Sequence, residues 1–134
     1  MKISFVSGLI FVFCSAAQSA DAQHAWDLLK QPDFKSAYLE ALGSKVQEKW
    51  LTKLPGPSNE AVHKVIGGEE FLLLSSCKPH ACDTDNIAIA YGKATKRVYA
   101  KLREESGTTV LIGAPSAGIK SELESYYEKQ FSSR

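Results

Sequence analysis

Cysteine is scarce in this chain: three in 134 residues, at positions 14, 77 and 82. Structural zinc sites take four ligands, usually as two close pairs, and here a second cysteine pair is missing. Charge of one sign is also missing. Sixteen Lys and Arg against fifteen Asp and Glu leave a net charge of +1, which argues against a phosphate backbone as partner. No nucleophile elbow, HExxH, P-loop or dinucleotide fingerprint occurs. The sequence therefore offers none of these catalytic motifs and indicates no metal, no cofactor and no nucleic-acid partner. A composition of 44% hydrophobic and 23% charged residues is ordinary for a globular protein, and the length suits one domain.

Long apolar runs are confined to the amino terminus. Lys2 is followed by an apolar stretch from Ile3 to Phe13 and then by small and polar residues. A bilayer needs ~20 apolar residues, so this stretch is too short to span one. Its layout predicts a secretory signal peptide over residues 1–22, cleaved after Ala22, with a cut near Ala20 as the alternative. Residues 23–134 then form the mature domain, exported to an oxidising compartment and not membrane-embedded. Lipid attachment at Cys14 is the rival reading, but Phe13 places a bulky ring where such signals carry a small residue.

Removing the signal leaves Cys77 and Cys82, an even pair in a chain bound for an oxidising compartment. The stretch SSCKPHACD (75–83) thus reads first as a disulfide ring around Lys78, Pro79, His80 and Ala81. A thiol–disulfide enzyme would place Cys-x-x-Cys at a helix start, and four intervening residues after a strand do not fit that pattern.

The flanking sequence predicts an α+β fold, a single domain with a central antiparallel sheet of about five strands. N-terminal helices and one C-terminal helix flank it. Trp26, Leu28 and Leu29 mark a short first helix that Pro32 ends or interrupts. Asp33 is expected to cap a second helix carrying Phe34, Tyr38 and Leu42, with Gly43 as its stop. A further turn or two follows through Val46, Trp50 and Leu51. Proline and glycine in residues 55–60 mark a loop. Strands are expected at 61–66, 69–75, 87–91, 97–102 and 108–112, the first two joined by Gly67-Gly68 in a hairpin. Phe71 to Leu74 is apolar on both faces, so that strand should lie centrally. Ser116 should cap a final helix whose stripe of Ile119, Leu123, Tyr126, Tyr127 and Phe131 faces the sheet. His24 and His63 read as surface residues rather than ligands.

The ring is thereby carried on rigid strands, where functional side chains are often held. CKPHAC, after a Gly-Gly hairpin and an apolar strand ending in Ser-Ser, resembles the inhibitory loop of the Ivy family, bacterial inhibitors of vertebrate (c-type) lysozyme. The resemblance implies a periplasmic inhibitor whose ring plugs the lysozyme cleft. It assigns Cys77 and Cys82 to the disulfide, Lys78 and Pro79 to the loop wall, and His80 to contact with the catalytic carboxylates. The family motif carries aspartate where this chain has Ala81, a departure that bears on potency or on the choice of lysozyme. A regulator of the cell's own lytic transglycosylases, acting through the same ring, is the alternative. A homodimer is compatible with either.

Overall fold

The computed structural model describes residues 23–132, so the segment read as a signal peptide lies outside the described residues. Five antiparallel strands form one sheet in sequential order: β1 (Val62–Ile66), β2 (Glu69–Cys77), β3 (Asn86–Gly92), β4 (Arg97–Arg103) and β5 (Thr109–Ile112). Four helices complete the α+β domain: α1 (Ala25–Leu28), α2 (Pro32–Leu42), α3 (Lys49–Lys53) and α4 (Ala117–Phe131). A 3-10 turn, Gly43–Gln47, links α2 to α3. Among the described residues no helix is long and apolar enough to cross a membrane.

The two-residue period of a strand explains why Phe71 to Leu74 is apolar throughout. Leu72 and Leu74 face a core shared with the N-terminal helices, where Leu28, Phe34, Tyr38 and Leu51 are also buried. Phe71 and Leu73 face a second core built with Leu123, Tyr126 and Tyr127 of α4. In β3 the large Ile87 and Ile89 point to the first core and the small Ala88 and Ala90 to the second. The small side chains leave room for two tyrosine rings. The middle strand of the sheet is β3, with β2 beside it, and both are covered on two faces.

Turn chemistry sets the connections. Gly67 and Gly68 have φ of 58° and 80°, the doubly positive pattern of the tight hairpin that pairs Ile66 with Glu69. Gly43 ends α2 at φ 54°, and Ser116 caps α4 by accepting a hydrogen bond from the Ile119 amide. The expected cap at Asp33 is corrected. Gln31 is the N-cap residue and Pro32 occupies the first turn, leaving Asp33 inside it as an acidic residue near the helix's positive end. Proline at that position loses no hydrogen bond, because the first amides of a helix have no partner within it.

Candidate functional site

β2 runs two residues beyond the end expected at Ser75, so that Cys77 is itself a ladder residue, paired with Asn86 of β3. Residues 78–85 connect the two strands. Cys77 and Cys82 form a disulfide within this connection, their Cα atoms 4.9 Å apart. Cys77 is buried at the root of the ring, Lys78 and Ala81 are half-buried, and Pro79 and His80 are exposed at its tip.

The tip is a β-turn from Lys78 to Ala81. The Ala81 amide donates to the Lys78 carbonyl at 3.0 Å, Pro79 takes the second position, and His80 takes the third with φ of 64°. Proline followed by a left-handed residue is the pattern of a type II turn, whose third position favours glycine or asparagine. Histidine there costs about 1–2 kcal/mol of backbone strain. A free loop would relax it. This ring holds His80 in that conformation and presents its imidazole to solvent.

Below the tip the chain winds back on itself. The Ala81 carbonyl accepts from the Thr84 amide at 3.1 Å and the Asp85 amide at 2.9 Å, and the Lys78 amide donates to the Asp85 carbonyl at 3.0 Å. The Asn86 side-chain amide donates to the Cys82 carbonyl at 2.8 Å, while its oxygen accepts from the Tyr127 hydroxyl at 2.7 Å. From the other side, the 55–60 loop closes on the root. A Cβ at Gly56 would lie 1.6 Å from the Cys77 carbonyl oxygen, so only glycine permits this approach.

Lys78 borders a cleft of about 260 Å³ that Glu48, Asp85, Glu104 and Glu105 also line. Glu104 is paired with Lys45. Lys78 thus borders acidic side chains of its own chain, while His80 stands exposed at the tip. Among the described residues no cluster of three His, Cys, Asp or Glu side chains is placed to hold a metal ion.

The structure thus brings Cys77, Lys78, Pro79, His80, Ala81 and Cys82 into one closed element. His63 lies on β1, exposed, with its Nδ1 at 2.9 Å from Glu70. His24 is half-buried, stacked on Trp26 and bonded through Nδ1 to the Ser58 carbonyl at 2.9 Å. Three residues that hold the ring are not assigned to it in the sequence reading: Gly56, Asn86 and Tyr127. Gly56 carries a signal there only as loop punctuation, and Tyr127 only as part of the apolar stripe. Asn86, a polar residue opening an otherwise apolar strand, is the one whose position hints at a partner.

The family described as Inhibitor of vertebrate lysozyme (Ivy) matches residues 33–124. The chain belongs to the Ivy family. That family is one of inhibitors rather than enzymes. The chain is also 29% identical, over 76 residues, to the Inhibitor of vertebrate lysozyme of Pseudomonas aeruginosa. That match covers 56% of this chain and 50% of the relative, so the chain spans about half the length of the relative it matches.

Proposed function

We propose that this protein is a periplasmic inhibitor of c-type lysozyme that inserts the ring Cys77–Cys82 into the enzyme's active-site cleft. Residues 1–22 serve as the cleaved export signal, and residues 23–134 form the inhibitor domain. The observation that carries the reading is an exposed histidine at the tip of a disulfide-closed turn, in a chain of the Ivy family.

The chemistry follows from the target. A c-type lysozyme works with a protonated carboxylic acid beside an ionised carboxylate. The His80 imidazole offers two nitrogens on a small flat ring, enough to engage both groups at once. Pro79 and Lys78 form the wall of the loop beside it. Ordering a free loop residue costs about 1–2 kcal/mol of backbone entropy. A ring already fixed by its turn, its disulfide and its root avoids most of that cost at the moment of binding.

The test is His80→Ala, with His63→Ala as control, assayed side by side against a c-type lysozyme and a lytic transglycosylase. Losing a hydrogen bond to a charged group costs ~1.5–3 kcal/mol, so His80→Ala should weaken inhibition by roughly ten- to more than a hundredfold. His63→Ala should inhibit normally. An unchanged inhibition constant for His80→Ala would remove histidine from the mechanism. Inhibition of the transglycosylase alone would transfer the function to the cell's own wall enzymes.

A further inference from the structure

A disulfide closes the ring but does not aim it. Cys77 is fixed in the sheet, whereas Cys82 lies beyond the turn, bound to Cys77 through its sulfur and to the rest of the ring through the main-chain bonds at Lys78, Ala81 and Asp85. Those bonds close the loop on itself, but none of them ties the Cys82 main chain to another element of the fold. A second anchor is present. The Asn86 amide nitrogen donates to the Cys82 carbonyl at 2.8 Å, and the Tyr127 hydroxyl donates to the Asn86 oxygen at 2.7 Å.

Both members of this link are themselves held. Asn86 is 1% exposed and lies directly across the ladder from Cys77. Tyr127 is packed against Phe131, with ring centres 5.1 Å apart, and the Lys101 ammonium sits 4.3 Å over its face. Lys101 is tied in turn to Glu124 of the same helix. The Cys82 carbonyl can only accept, so it fixes the Asn86 nitrogen toward itself and leaves the amide oxygen to accept from the Tyr127 hydroxyl.

We propose that Asn86 and Tyr127 are positioning residues that aim the ring, tying its outer half to helix α4 and thereby setting the direction in which His80 points. The inference rests on the reading of the ring as the inhibitory element. Neither side chain is placed against the target; they act through the Cys82 carbonyl. Cutting the link should leave the disulfide closed and the sheet intact while loosening the loop.

The test uses Tyr127→Phe, Asn86→Ala and the double variant of the mature protein. Two readouts are needed: inhibition of a c-type lysozyme, and amide hydrogen exchange of the free inhibitor. Tyr127→Phe keeps the aromatic ring and so guards against failure to fold. Each variant should inhibit about three- to tenfold less well, the size of one net hydrogen bond. The double variant should be no worse than Asn86→Ala alone, because the two residues form one chain of contacts. Exchange should quicken at the Ala81 and Asp85 amides and stay unchanged at Leu73 and Ala90 in the sheet. Unchanged exchange at Ala81 and Asp85 would overturn the proposal. So would faster exchange at all four amides together, which would mark a purely structural role, or quicker loop exchange with undiminished inhibition. Including His80→Ala keeps the two readings apart. If that variant inhibits normally the ring's function fails, while the exchange data still decide whether the link restrains the loop.

Discussion

Replacing Gly56 by alanine tests whether the root of the ring is as closely packed as the geometry requires. The added methyl carbon would fall 1.6 Å from the Cys77 carbonyl oxygen, 2.6 Å from its carbon and 3.2 Å from its nitrogen. All three are backbone atoms of a strand residue, so no side chain can rotate away. To reach even 3.0 Å from that oxygen, the 55–60 loop and the end of β2 must part by about 1.4 Å. Forcing an extra carbon into a packed site costs ~1–3 kcal/mol. The displaced residue carries the disulfide, so the shift passes directly to the ring. Thermal unfolding should report the stability loss, and inhibition of a c-type lysozyme should fall by about tenfold or more as contacts worth ~1.5–3 kcal/mol lose alignment. Gly43→Ala is the matched control. Its φ is 54°, so alanine is strained there by ~1–2 kcal/mol, yet nothing lies within 4 Å of the new methyl. It should lower stability and leave inhibition of the folded protein unchanged. A Gly56→Ala variant with normal stability and normal inhibition would refute the close approach. Equal inhibition losses in both variants would show that stability, not ring placement, sets potency.

Removing the disulfide should separate binding from folding. Closing a loop of this length contributes about 2 kcal/mol by chain entropy, so Cys77→Ser/Cys82→Ser should remain folded at moderate temperature but inhibit weakly. A variant that unfolds while its folded fraction inhibits at full strength would make the disulfide structural. Export should yield a protein beginning near Gln23 with no free thiol, which intact mass and thiol titration check. A retained Cys14 or an attached lipid would overturn the signal assignment.

Much of the scaffold is legible in the sequence because its signals are local. Gly67-Gly68 demands a tight hairpin, and the double-sided apolar run of Phe71 to Leu74 demands cover on two faces. The 3.6-residue stripe from Ile119 to Phe131 demands a packed helix face. The ring itself is visible as two cysteines around a proline. What holds the ring is not legible, for a physical reason in each case. Asn86 and Tyr127 meet across 41 positions of sequence, and hydrophobic periodicity registers Tyr127 as a packing ring without its hydroxyl. The positive φ of His80 gives no warning, because turns of this kind usually announce themselves with glycine or asparagine. Pro79 is the only local trace of it. Asp33 misleads in the other direction. Its type suits a cap, but Pro32 already fits the first helical position and pushes the cap back to Gln31.

The alanine at position 81 makes sense once the bonds of the ring are assigned. Its amide closes the turn on Lys78, and its carbonyl accepts from the Thr84 amide and hydroxyl and from the Asp85 amide. Asn86 takes over the next carbonyl, at Cys82. Main-chain groups and residues outside the ring therefore carry the restraints, and none of these bonds uses the side chain at 81 or the His80 imidazole. An aspartate there, as in the family motif, is not needed to shape this loop. Its carboxylate would instead add a negative charge next to the imidazole in sequence. With alanine, His80 stands at the tip without that neighbour, and Lys78 borders a cleft that Glu48, Asp85, Glu104 and Glu105 also line. On the proposed reading, the contact with the target's acidic groups then rests chiefly on one imidazole. That concentration of function is why the loss expected for His80→Ala is large, and why the direction in which the ring points matters so much.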